Sequence, residues 1–144
     1  MAKLILSLPD MEDKLIADAA MIGIVSATPA YHLCWLFNKY FDINFVREPG
    51  HDIQLKKKDN QFYFPVYQYL FPNSTYKYVL YKLKDGNEPL MPETKGFDYL
   101  WYIHSANPDD EADVVADGLR DIPEVQLIRI FIPSELDNLS HLLI

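Results

Sequence analysis

Residues 97–132 read FDYLWYIHSANPDDEADVVADGLRDIPEVQLIRIFI, and this stretch decides the fold. Asp98 to His104 is short and aromatic, which predicts a strand. Asn107 can cap a helix, and Pro108 suits its first position, where a missing N–H costs nothing. Ala112, Val115, Leu119 and Ile122 then recur at helical spacing as a buried stripe, while Asp109, Asp110 and Glu111 favour the positive end of the helix dipole. Pro123 stops the helix. Val125 to Ile132 follows as a strand whose long apolar run predicts a central place in the sheet. Strand 98–104, helix 108–121 and strand 125–132 together predict a βαβ unit with a right-handed crossover.

Working outward, Phe62 to Phe71 and Thr75 to Leu83 alternate Phe, Tyr and Val around the turn Phe71-Pro72-Asn73-Ser74, which predicts a hairpin. Tyr76, Tyr78, Leu80 and Lys82 fall on one face of its second strand, and Lys77, Val79, Tyr81 and Leu83 on the other. Ile53 to Leu55, Met21 to Val25 and Lys3 to Leu8 read as further strands, with residues 10–20 divided between helical and strand spacing. A helix is expected over 29–41, with Thr28 as cap and Pro29 at the first position. Its apolar face carries Leu33, Cys34, Phe37, Tyr40 and Phe41; His32, Lys39 and Asp42 lie opposite, with Trp35 between, on a face that is solvated or touches a partner. Residues 133–144 suit a short helix capped by Ser134. The expected architecture is α+β: a mixed, mostly antiparallel sheet, two main helices packed on one face, and a C-terminal βαβ unit.

A chain of 144 residues, 49% of them hydrophobic and 20 of them aromatic, is enough for one packed domain spanning 1–144. One cysteine, Cys34, excludes an internal disulfide framework and any CxxC site, and a reducing compartment fits it best. The apolar run at Lys3 to Leu8 is too short for a signal-peptide core, and none elsewhere approaches the roughly 20 residues that span a bilayer. The expected location is cytoplasmic, with no membrane partner. The formal charge of −8 is segregated, since residues 1–97 carry 11 acids and 11 bases while residues 98–144 carry 10 acids and 2 bases. Residues 54–84 hold six lysines against Asp59 alone. Net acidity argues against general nucleic-acid affinity, which clustered Lys and Arg would drive.

Ile122-Pro123-Glu124, followed after three residues by Ile128-Arg129-Ile130, resembles the motif that names the bacterial IPExxxVDY family. Ile128 stands for the valine, while Arg129 and Ile130 replace the family's acidic and aromatic residues. Ile22-Gly23-Ile24-Val25-Ser26, with Tyr31-His32-Leu33-Cys34-Trp35-Leu36-Phe37-Asn38-Lys39, is similar to that family's strand-then-helix opening. The two segments extend the resemblance over most of the chain. It brings no activity, substrate or catalytic residue with it. Physically, the motif has Pro123 ending a helix, Glu124 starting the next strand, and Ile128 and Ile130 two apart on one strand face.

No recognisable motif supplies a catalytic residue, a cofactor or a metal site. His32 and Cys34 stand roughly 200° apart around a helix axis, so the imidazole does not activate the thiol. Asp109, Asp113 and Asp117 align as a solvated acidic face that a basic protein could meet; no EF-hand pattern accompanies them. His51 and His141 read as surface residues. The residues point first to a non-enzymatic protein-interaction or self-associating domain, a homodimer through a Tyr-rich sheet surface or an exposed strand edge. The alternative is a small-molecule binder or enzyme with a pocket at the strand end near His104, drawing on Trp101, Tyr102 and Arg129, where His104 would act as acid or base and Arg129 would hold an anion. A third is a single-stranded nucleic-acid binder using Lys77, Lys82 and Lys84 among the hairpin tyrosines.

Overall fold

The computed structural model describes residues 16–142. The strand expected at Lys3 to Leu8, and the start of the ambiguous 10–20 segment, lie outside the described residues. Strand β9 (Tyr99–His104) sets the design: Tyr99, Trp101 and Ile103 are buried on one face, Leu100 and Tyr102 on the other. A strand apolar on both faces needs cover on both sides and strands on both edges. Its neighbours are β1 (Ala19–Val25), where Ile22 opposes Trp101, and β6 (Lys77–Lys82), where Leu80 opposes Trp101. Beyond β6 the sheet continues through β5 (Val66–Leu70) and the two-residue β2 (Val46–Arg47); beyond β1 it ends at β10 (Leu127–Phe131). All the described ladders are antiparallel.

Helices α1 (Ala30–Phe41) and α2 (Pro108–Arg120) cover one face, as expected. Leu33 and Phe37 of the first and Ala112, Val115 and Leu119 of the second pack on Ile22, Leu80 and Trp101. Each Val, Leu, Ile or Phe among them, fully buried, contributes roughly 1.5–3 kcal/mol relative to exposure. The rings of Phe37, Phe41, Phe45 and Tyr78 surround Trp101 at centroid distances of 5.0–5.3 Å. The helices approach closely because Gly118 lacks a side chain, and a Cβ there would stand 2.5 Å from the Phe41 ring. Tyr40, expected on the buried face, is instead half exposed and donates its hydroxyl hydrogen to Asp121 Oδ2 at 3.0 Å.

The opposite face carries no helix of comparable length. Met21, Val79, Tyr81, Leu100 and Tyr102 are covered by the ladder of β3 (Ile53–Lys57) with β4 (Asn60–Phe64), by Leu83, Leu90 and Met91 around the short pair β7 (Lys84–Asp85) and β8 (Glu88–Pro89), and by Leu136, Leu139 and Leu142. The C-terminal segment therefore docks as short 3-10 turns on this second core, not as one helix. Glu93 holds it by accepting hydrogen bonds from the backbone N–H groups of Asp137 and Asn138 and from the Asn138 amide, at 2.6–2.8 Å. His141, expected on the surface, places Nδ1 2.8 Å from the Leu90 carbonyl oxygen.

Four further expectations change. Phe62 to Phe71 is not one strand, because Pro65 has no N–H to donate and marks the point where β4 leaves for β3 and β5 joins the main sheet. The cap of α1 moves, since the helix starts at Ala30 with Pro29 rather than Thr28 before it, whereas Asn107 holds the expected cap position of α2 with Pro108 next to it, its side chain making no cap bond. Thr28 instead accepts the Tyr99 hydroxyl hydrogen on its carbonyl oxygen, at 2.7 Å. The βαβ unit is split, for β9 and β10 run parallel but both pair with β1, which lies between them. Insertion of β1 also makes β10 an edge strand, not a central one, and it begins at Leu127, three residues after Glu124.

Candidate interaction surface

Edge position leaves β10 with more apolar surface than its neighbours cover. Leu127, Ile130 and Ile132 are 61%, 39% and 58% exposed, and no described strand lies beyond them. Ladder parity shows which backbone groups are free. The Ser105 N–H donates to the Asp18 carbonyl oxygen at 3.1 Å, so even-numbered residues of β1 bond to β9 and odd-numbered ones to β10. Their hydrogen-bonded partners, Phe131, Arg129 and Leu127, turn their amides inward. The N–H and C=O groups of Ile128 and Ile130 and the N–H of Ile132 consequently point out from the sheet, while the Ile132 carbonyl oxygen accepts from the Glu135 N–H at 2.9 Å. Arg129 is the one charge on the strand; it lies 4.9 Å from the Phe131 ring centroid and 3.9 Å from Glu135. The other edge, β2, is two residues long and offers little template.

The ligand candidates do not converge. Trp101 and Tyr102 are both buried, in cores on opposite faces of the sheet, because consecutive residues of a strand point apart. Burial pushes the Tyr102 hydroxyl up to about 12. His104, at the end of β9, meets Tyr76 edge to face at 5.7 Å. Arg129 opposes Gly23 on β1 while His104 opposes Ala19, so the two sit four residues apart along β1 and on opposite sides of it.

The lysines divide as well. Lys77 and Lys82 occupy opposite ends and opposite faces of β6. Lys82 and Lys84 line one cavity of about 430 Å³ with Ser26, Thr28 and Asp98, where Lys84 pairs with Asp98 at 3.4 Å and Asp98 also accepts from the Ser26 N–H. Tyr67, Tyr78 and Tyr81 are core residues, which leaves Tyr63 and Tyr76 as the exposed tyrosines of the hairpin region. His32 is exposed against Trp35 while Cys34 is buried, and burial pushes the Cys34 thiol up to about 12.

A second apolar feature follows from α1, whose outer face exposes Tyr31 and Trp35, the latter with the Lys39 ammonium 5.1 Å from its ring centroid. Beside it, Leu36, Tyr40, Asp121, Ile122, Pro123 and Glu124 line a groove of about 510 Å³. Ile122-Pro123-Glu124 thus turns the chain from α2 toward β10: the Ile122 N–H bonds to the Leu119 carbonyl oxygen, and the Glu124 carbonyl accepts from Ser26 Oγ at 2.7 Å. The acidic face of α2 is exposed at Asp109, Asp113 and Asp117, and among the described residues no group of three potential ligands could hold a metal ion. No helix among them is long and apolar enough to cross a membrane.

Comparison of the chain with family models, with curated proteins and with solved structures returns no match.

Proposed function

We propose that this chain is a non-enzymatic, self-associating domain that joins a second copy of itself along the free edge of β10. The observation that carries this is the outward ladder of three isoleucine amides beside exposed Leu127, Ile130 and Ile132. An apolar edge is a template for another strand, and a two-fold pairing sets one edge residue opposite its own copy. Were that residue Arg129, two like charges would meet, and were it Phe131, Pro133 would face Arg129. Centring on Ile130 sets Ile128 opposite Ile132 of the second copy and Arg129 opposite its Phe131. Centring on Ile128 would oppose Arg129 to Leu127, and centring on Ile132 would bring Pro133 opposite Phe131. The Ile130 register keeps the isoleucines together on one face and extends the Arg129–Phe131 stacking across the axis. The buried, unpaired thiol of Cys34 and the Ile122-Pro123-Glu124 resemblance support a bacterial cytoplasmic setting for this domain.

Light scattering after size exclusion tests it. The wild-type chain should elute at twice 16.8 kDa, while Ile130→Lys should elute as a monomer with unchanged far-UV circular dichroism. A short bis-maleimide should link Ile130→Cys chains in high yield, since Cys34 is buried and protonated. A wild-type monomer at tens of micromolar, or an Ile130→Lys dimer, overturns the proposal.

A further inference from the structure

The cavity of about 430 Å³ that holds Lys82 and Lys84 also takes in Thr28 and Pro29, the residues that lead into α1. Strand register brings them together. Lys82 opposes Tyr99 on β9, and the Tyr99 hydroxyl donates to the Thr28 carbonyl oxygen at 2.7 Å, so the β6 ammonium and the start of the helix meet at one end of the sheet. The charges in this space do not balance. Asp98 accepts from the Ser26 N–H at 2.9 Å on one oxygen and faces Lys84 at 3.4 Å with the other. Lys82, partly buried, forms no ion pair among the described residues. The lining thus carries two ammonium groups against one carboxylate.

Backbone donors add to the excess. No side chain caps α1, and the first backbone hydrogen bond at its start runs from the Leu33 N–H to the Pro29 carbonyl oxygen at 2.9 Å. The amides of Ala30, Tyr31 and His32 are left over at the positive end of the helix dipole. A cation is disfavoured by this arrangement. An extended polyanion is not matched either, since Lys77 leaves β6 at its other end and on its other face, which confines the positive charge to one spot. We propose that this cavity binds a phosphate dianion, its oxygens shared between the Lys82 and Lys84 ammonium groups at the N-terminus of α1. Lys84 keeps donors for it, because an ammonium has three N–H groups and Asp98 takes only one. Phosphate offers several oxygens to diverging donors, where a carboxylate offers two. The volume leaves space for a small group esterified to the phosphate.

The test is a ¹H–¹⁵N correlation titration of the full chain with sodium phosphate at mildly alkaline pH, where the dianion prevails, against sodium chloride at matched ionic strength. Phosphate should shift the amides of Thr28, Tyr31 and Gly86 saturably at millimolar concentration, and chloride should not. Lys82→Gln should weaken binding about tenfold, the effect of losing a hydrogen bond to a charged group, with the rest of the spectrum unchanged. Lys56→Ala removes the same charge from the exposed surface of β3 and should leave binding unaltered. Glycerol phosphate binding more tightly than inorganic phosphate identifies an ester as the occupant, and equal binding identifies free phosphate. Absence of saturable shifts, equal shifts with chloride, or equal weakening by Lys56→Ala and Lys82→Gln overturns the proposal.

Discussion

Replacing Gly118 by alanine sets two effects of known size against each other. In a helix interior, alanine is favoured over glycine by about 1 kcal/mol. Gly118, however, lies where α2 crosses α1, and the added Cβ would stand 2.5 and 2.8 Å from the Phe41 ring and 3.1 Å from the Tyr40 ring. The Phe41 ring must retreat by roughly 1 Å to regain ordinary contact. It is not free to do so, being packed edge to face against Trp101 at 5.2 Å and Tyr40 at 5.0 Å. Overpacking of this kind costs about 1–3 kcal/mol, so Gly118→Ala should be net destabilising by about 1 kcal/mol, lowering the Tm by a few degrees. In a Phe41→Leu background the obstructing ring is gone, and the same substitution should become stabilising by about 1 kcal/mol. The coupling of about 2 kcal/mol is read from urea unfolding of the four proteins, followed by circular dichroism with equal m-values required. Stabilisation by Gly118→Ala in the wild-type background, or the same effect in both backgrounds, would refute the close-packed crossing.

Two further outcomes follow from the other face. Burial alone would raise the Glu93 carboxyl, but hydrogen bonds from Asn138 and Asp137 outweigh it and hold the group below the ordinary carboxylate value. A lowered folded-state value contributes stability that is present above the unfolded value of about 4.3 and is lost as pH falls through the folded one. Glu93→Gln should therefore flatten the acid limb of the stability profile, and an unchanged limb counts against the C-terminal latch. Gly23→Ala would bring a Cβ to 2.5 Å from the Phe131 ring and 2.8 Å from that of Phe97, so thermal melting should show a loss of about 1–3 kcal/mol, and an unchanged melt would show that the rings yield.

The edge strand and the end of β9 differ in how much of each is legible in the sequence. Periodicity located the β10 apolar run and the alternation of Ile128 with Arg129, but the same run read as a central strand because hydrophobicity does not report what lies next to it. Only the insertion of β1 between β9 and β10 turned that surplus into an exposed edge. His104 is legible as the end of β9 before the N-terminus of α2, because the aromatic alternation stops there. Trp101 and Tyr102 do not share a pocket, because strand alternation sends them to opposite cores. Ser105 carries no signal in the sequence, since a serine in a turn is ordinary until burial encloses it.

The sequence by itself determined the local elements and their punctuation. Helical spacing and Pro108 and Pro123 delimited α2, period-two alternation and the Phe71-Pro72-Asn73-Ser74 turn delimited the hairpin, and two helices with an antiparallel sheet set the class. These depend on neighbours a few residues apart, whose sterics and hydrogen bonds are written in adjacent letters. Tertiary structure alone decided the strand order, the second core beneath Leu136 and Leu142, and the exposed or buried fate of each apolar or polar group. Those depend on partners as distant as Ser26 and Glu124, or Tyr81 and Leu142, and their pairing is settled by which arrangement buries both faces of β9 at once.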